Sequence, residues 1–280
     1  MLIAQITDTH LTPARDADGQ GNAARLARVL EALLEGPNRP DLLLVTGDLT
    51  DKGSEAAQAL LAKALADVPF PALLAAGNHD DRITLVAQHE AMQLTGGFLQ
   101  YAHDAGGLRV IVLDTVSEGL HGGAFCEARA QWLREQLSQA GDTPVLLAMH
   151  HPPVTTGIEW MDAEGEHGWR SRFADVVEQA GNVVGIVCGH VHRPIQSTLR
   201  GVPVTVCPSV SSPLSLDLTA IDTGVPDGRV LVHTGPPAYA LHHWDGQQLT
   251  THFAQAVDSE PLYSLTDESA AEVERIRRGR

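Results

Sequence analysis

Five short motifs, rich in His, Asp and Asn, are spread along most of the chain. They are Asp8-Thr9-His10, Gly47-Asp48, Gly77-Asn78-His79-Asp80, Met149-His150-His151 and Gly189-His190-Val191-His192. Imidazole, carboxylate and amide groups can bind Fe, Mn, Co or Zn, and a neutral amide ligand leaves Lewis acidity for a substrate oxygen. Each motif alone also suits a turn, a helix cap or a solvated pair. One dinuclear metal site explains all five together, and we therefore predict metal-dependent hydrolysis.

Apolar, partly β-branched stretches precede these motifs and predict buried strands. These stretches are residues 2–7, 42–46, 72–75, 109–113, 145–149 and 183–188. Helical spacing of apolar residues occurs between several of them, at 24–34, 55–65, 129–137 and 172–177. Alternating strands and helices predict an α/β layered domain, with its ligand site in the loops beyond the carboxyl ends of the strands.

The pattern changes after Val191 to short strand-like segments separated by Gly and Pro. They are residues 194–199, 202–206, 229–233 and 249–253. This β-rich extension, about 195–257, either completes a second sheet or forms a hairpin cap, and it is a candidate for contact between copies of the chain. We expect one domain over residues 1–265 and a charged tail over 266–280, as a short helix or a frayed end.

Composition restricts the partners and the compartment. The 280-residue chain has 35 acidic and 19 basic residues and a formal charge of −16, which repels a nucleic-acid polymer. No apolar run approaches the roughly 18 residues that span a bilayer. Cys126, Cys188 and Cys207 fit neither a disulfide framework nor a thiolate zinc site. With a carboxylate as early as Asp8, the N-terminus does not suit a secretory signal, so we expect a cytoplasmic protein without membrane or nucleic-acid partners.

The order of the five motifs resembles the calcineurin-like metallophosphoesterase superfamily. His150-His151-Pro152-Pro153 and the sequence Gly-Ile-Glu-Trp-Met-Asp at 157–162 look like the bacterial branch of class III cyclic-nucleotide phosphodiesterases and glycerophosphodiesterases. The resemblance implies a four-layer α-β-β-α sandwich with a β-rich C-terminal extension. It also implies two divalent or mixed-valence metal ions, for which we expect Fe or Mn, with Zn or Co as alternatives.

The resemblance also implies a role for each motif residue. One metal ion would be bound by Asp8, His10, Asp48 and His192, and the other by Asp48, Asn78, His150 and His190. Asp48 would bridge them, and a hydroxide between the metals would attack phosphorus in line. We choose His150 over His151 because a strand end should hold it more rigidly.

His79 and Asp48 are the expected catalytic residues, and Asn78, His79 and His192 are expected to contact the substrate. His79 would donate a hydrogen bond or proton to the leaving oxygen. The alternative is that His79 only orients the Asn78 loop.

The expected substrates are small phosphodiesters, above all 3′,5′-cyclic nucleotides such as cyclic AMP. Glycerophosphodiesters, or a broad range of phosphoesters, are the alternative within the same mechanism. A phosphoprotein substrate is disfavoured because Lys52 stands where related protein phosphatases carry Arg. A catalytically silent metal-binding module is the alternative of a different class, and it would require the loss of a ligand or of His79.

Overall fold

The computed structural model describes residues 1–13, 21–89 and 92–279. The strands are β1 Leu2–Ile6, β2 Leu42–Thr46, β3 Ala72–Ala75, β4 Tyr101–Ala105, β5 Leu108–Val112, β6 Val145–Ala148, β7 Val183–Cys188, β8 Ile195–Leu199, β9 Val202–Val206, β10 Ala238–Trp244 and β11 Leu249–Gln255. The helices are α1 Gly21–Glu35, α2 Glu55–Leu65, α3 Arg82–Gln88, α4 Glu127–Ala140, α5 Trp169–Glu178 and α6 Asp267–Arg277.

Two sheets form the centre of the fold. One has the strand order β11-β10-β1-β2-β3 and the other the order β4-β5-β6-β7-β9-β8. Strands β1, β2 and β3 are parallel to one another, as are β5, β6, β7 and β9. The last two strand pairs of the chain thus extend existing sheets: β8 and β9 belong to one sheet, and β10 and β11 to the other.

Three apolar clusters separate four layers. The first lies between the two sheets and includes Leu44 and Leu146. A second packs one sheet against the amphipathic face of α1, represented by Leu26, and a third packs the other sheet against α4 and α5, represented by Phe173. This arrangement confirms the α/β fold and the α-β-β-α sandwich expected from the sequence.

Most predicted elements occur within one or two residues of their expected bounds, but residues 229–233 are not a strand. Val230 and Val232 are exposed, and this stretch has only an isolated bridge between Leu214 and Val232. Its β-branched residues have no partner strand to pack against. The sequence patterns also do not predict α3, β4 and β10. Residues from Asp267 to Arg277 form a helix, with a capping box at Thr266.

No helix in the described ranges has the length and apolar character required to cross a bilayer.

Candidate metal centre

The predicted ligands follow the carboxyl ends of five parallel strands, and their backbones are unusual. Six non-glycine residues in the described ranges have positive φ, and five of them are candidate ligands: Asp8 (52°), His10 (41°), Asp48 (48°), His190 (74°) and His192 (53°). Side chains with a Cβ atom rarely adopt this left-handed conformation, which persists only where the surrounding structure enforces it. The fold therefore maintains strain at the residues that the motifs single out.

Glycines within the motifs allow the loops to approach closely. A Cβ atom on Gly47 would collide with the ring of His150, and one on Gly77 would collide with the backbone and carboxylate of Asp48. A Cβ atom on Gly189 would collide with the Thr7 hydroxyl. Each glycine is required because another motif, or the strand end beside it, occupies the space where its side chain would lie.

Overlapping groups of side chains are placed to bind metal ions. Each group contains ligand atoms within 4.8 Å of one another: Asp8 with His10 and His192, His10 with Asp48 and His79, Asp8 with Asp48 and His150, and His150 with His151 and His190. Asp48 lies between the two sides, with its Oδ2 atom 3.6 Å from His10 Nε2 and 3.3 Å from His150 Nε2. That position suits a bridging carboxylate.

Two polar atoms in the centre have unused hydrogen-bonding capacity. His150 Nε2 and Asn78 Oδ1 are buried and form no hydrogen bond. Such atoms are costly to bury unless a ligand or metal satisfies them. The His150 Nδ1 atom is 2.8 Å from the Thr46 carbonyl and donates to it, so Nε2 is the ring nitrogen that a metal ion would bind. His192 Nδ1 donates in the same way to the Ser212 carbonyl at 2.8 Å. The residues therefore fit metal ions.

His151, the neighbour of His150, has both ring nitrogens engaged by protein. Its Nδ1 atom lies 2.8 Å from the Thr115 hydroxyl, and its Nε2 atom donates to the His121 carbonyl at 3.1 Å. A ring with both nitrogens hydrogen-bonded supports the adjacent loops instead of binding a metal, which favours His150 as the ligand.

The electrostatics of the centre couple carboxylates to imidazoles. Burial acts to raise the pKa of Asp48, but the neighbouring His150 holds that pKa well below its usual range. Burial acts to lower the pKa of His150, yet Asp48 raises it to about 9. Burial lowers the pKa of His10 to about 4. Asp48 is thus a carboxylate across the physiological range, as a metal ligand must be.

His79 lies at the edge of this centre, half-exposed. Its backbone N–H donates to Asp48 Oδ1 at 2.9 Å, and its Nδ1 atom donates to the Asp51 carbonyl at 2.9 Å. The Asp51 carboxylate is 3.7 Å from the same nitrogen. The ring also packs edge-on against His10, with centroids 4.7 Å apart.

Asp80 is a supporting residue to which the sequence motifs assign no role. Its carboxylate accepts hydrogen bonds from the backbone N–H groups of Leu49, Thr50 and Gly77 at 2.9–3.0 Å. It thereby joins the Asp48 loop to the Asn78 loop. Burial and the nearby Asp48 raise the pKa of Asp80 to about 6. Its position two residues after Asn78, within the same motif, is the sequence feature that could have indicated this supporting role.

Comparison with known proteins gives a consistent result. The family model described as calcineurin-like phosphoesterase matches residues 1–194. The chain is 32% identical over 277 residues to the "Probable glycerophosphodiester phosphodiesterase GpdQ" of Arcobacter nitrofigilis, covering 96% of this chain and 98% of the relative. It is 34% identical over 253 residues to the "cAMP/cGMP dual specificity phosphodiesterase" of Mycobacterium tuberculosis, covering 84% of this chain and 76% of the relative.

Among solved structures, a dimetal phosphatase from Danio rerio superposes with a TM-score of 0.67 at 16% sequence identity. The match covers 92% of this chain and 97% of that structure, which shows that the two share a fold.

Proposed function

The chain belongs to the calcineurin-like phosphoesterase family, and on that premise we propose that it hydrolyses 3′,5′-cyclic nucleotides such as cyclic AMP at a dinuclear metal centre. The main support is the position of Asp48 between two sets of histidines, beside the buried Asn78 Oδ1 and His150 Nε2 atoms, which form no hydrogen bond. The Mycobacterium relative is named for cyclic nucleotides, and the Arcobacter relative for glycerophosphodiesters. Glycerophosphodiesters are therefore the second candidate substrates.

The proposed ligands are Asp8, His10, Asp48 and His192 on one side and Asp48, Asn78, His150 and His190 on the other. We propose Fe or Mn as the bound metals, with Zn or Co as alternatives, because borderline nitrogen and oxygen ligands accept all four. When bound, the metals would supply Lewis acidity to the phosphate and acidify the attacking water. Asp48 would keep both sides of the site at a fixed separation.

The protein residues would orient the phosphate and manage the proton of the leaving alcohol. Because His79 Nδ1 donates to the Asp51 carbonyl, Nε2 is the atom through which His79 would donate a proton to the leaving oxygen. The Asp51 carboxylate, 3.7 Å from Nδ1, lies on the side of the ring away from Nε2 and would help to orient it. Asn78 and His192 would contact the phosphate together with His79.

A silent metal-binding module is disfavoured, because the chain retains the seven candidate ligands and also His79.

We also propose a cytoplasmic protein that forms homo-oligomers through its β-rich C-terminal segment. Leu216, Leu218 and Val225 in this segment expose apolar side chains that a second copy of the chain would cover. A mass by light scattering equal to one 29.9-kDa chain would rule out the oligomer.

The substrate proposal is tested by a metal-reconstituted assay with cyclic AMP, cyclic GMP, glycerophosphodiesters, a bis-aryl phosphate and matched monoesters. We expect diesters to be cleaved faster than monoesters, and cyclic nucleotides fastest among natural diesters. Faster cleavage of glycerophosphodiesters would select the second candidate. Faster cleavage of monoesters than of every diester would contradict the proposed substrate class.

A further inference from the structure

A further histidine, His121, lies beside the candidate metal centre although it belongs to none of the five motifs. It is in the loop between β5 and α4, which leaves the same edge of the sheet as the loops that carry His150 and His190. The ring centroid of His121 is 4.7 Å from that of His190, with the two planes tilted by 52°.

The backbone of this loop is held firmly. The His121 carbonyl accepts the hydrogen bond from His151 Nε2, and the next two residues are glycines. A Cβ atom on Gly122 would collide with the backbone at Gly165, and one on Gly123 would meet the side chains of Trp169 and His151. The position of His121 is therefore set by its main chain and does not depend on its ring.

The start of the same loop is tied to the His79 motif by a buried ion pair. Arg82, three residues after His79, donates from Nε and Nη2 to the two carboxylate oxygens of Asp114, at 2.6 and 2.8 Å. Arg82 Nη2 also donates to the Val116 carbonyl at 2.9 Å. A paired and buried guanidinium of this kind fixes geometry, so the His121 loop and the His79 loop hold a constant relation across the centre.

The ring of His121, in contrast, is exposed. Neither ring nitrogen forms a hydrogen bond within the parts of the chain that the structure describes. His121 also belongs to none of the groups in those ranges whose atoms are close enough to share a metal ion. The His121 side chain has a fixed backbone, ring nitrogens without hydrogen bonds, and the candidate ligand His190 beside it. It is therefore placed to contact a molecule bound at the metal centre.

Two histidines outside the proposed ligand set thus border the centre, each beside a different candidate ligand. His79 packs against His10, and His121 packs against His190, both with ring centroids 4.7 Å apart. We propose that His121 is a substrate-contacting residue that donates a hydrogen bond to a phosphate oxygen on the His190 side of the centre. This inference rests on the proposed phosphoesterase function and adds His121 to the phosphate contacts proposed for Asn78, His79 and His192.

The test measures binding of inorganic phosphate by titration calorimetry to the manganese-loaded full-length protein, together with bound manganese by elemental analysis. We expect His121→Ala to weaken phosphate binding by about ten- to a hundredfold, the effect of removing a hydrogen bond to a charged group, with bound manganese unchanged. His167→Ala is the matched control, because the side chain of His167 is 96% exposed. It should leave phosphate affinity within twofold of that of the unaltered protein.

Phosphate affinity within twofold of the unaltered protein in His121→Ala would overturn the proposal. Loss of manganese in that variant would also overturn it, because His121 would then act as a ligand. If His121→Ala unfolds at a lower temperature, His121→Asn is measured under the same criteria. Weaker phosphate binding by His121→Ala, in a protein that cleaves no diester, would contradict the proposed substrate class and still support the His121 contact.

Discussion

At the scale of single residues, two buried polar atoms identify the centre. Asn78 Oδ1 and His150 Nε2 are buried and form no hydrogen bond. Unsatisfied buried atoms reduce stability, so a metal that binds them contributes both to the chemistry and to the folded state. The strained backbones at Asp8, Asp48 and His190 fit the same interpretation, because strain is retained where function requires it.

Replacement of Asn78 tests this interpretation directly. We expect Asn78→Ala to lower the affinity of one metal site by at least about tenfold and to reduce diester hydrolysis with it, because a ligand oxygen is removed. Elemental analysis after dialysis and a bis-aryl phosphate assay measure both effects. Asn182→Ala is the control, since its amide bonds only to the Gly141 and Thr143 carbonyls. Unchanged metal content in Asn78→Ala would contradict the ligand assignment.

At the scale of elements, the sheet that contains β1 depends on a strand from late in the sequence. β10 pairs antiparallel with β1, and its His242 is fully buried, bonded to Gln5 Oε1 at 3.0 Å and to the Thr251 hydroxyl at 2.8 Å. Burial lowers the pKa of His242 to about 4. The folded state therefore binds this proton less well than the unfolded chain does.

The sign of the pH effect follows from that lowered pKa. The stability due to neutral His242 is present above the unfolded pKa of 6.5 and is lost as the pH falls toward 4. Between pH 7.5 and pH 5 we expect this residue to account for a loss of about 2 kcal/mol.

Urea unfolding of chelator-treated protein at the two pH values measures this loss. His242→Gln should lose about 2 kcal/mol less than the unaltered protein. His243→Gln, the exposed neighbour on the same strand, should behave like the unaltered protein. Equal losses in all three would show that His242 is not the residue responsible.

The elements also show where sequence patterns succeed and fail. Strands that end in a motif are predictable, because each apolar run is followed by a polar ligand type, as at Thr46 before Gly47-Asp48. β10 is not predictable in this way, since its stability comes from pairing with residues more than 230 positions earlier, such as Leu2 with His243. The exposed Val230 stretch has strand-like residues but no such partner. The sequence patterns do not single out His121, because it does not directly follow a predicted strand as the motif residues do.

At the scale of the whole molecule, the sandwich brings two sheets together so that loops far apart in sequence form one centre. Asp48 follows a strand of one sheet and His150 a strand of the other, yet their side chains lie 3.3 Å apart. The family membership and the phosphodiesterase names of the relatives agree with this architecture. A dinuclear enzyme differs from other metal proteins because its activity requires two bound metal ions.

Titration of chelator-treated protein with manganese, with bis-aryl phosphate hydrolysis as the readout, measures that number. We predict negligible activity without metal and a rate that rises until two manganese ions are bound per chain. Full activity in the presence of chelator, or a rate that saturates at one bound ion, would contradict it.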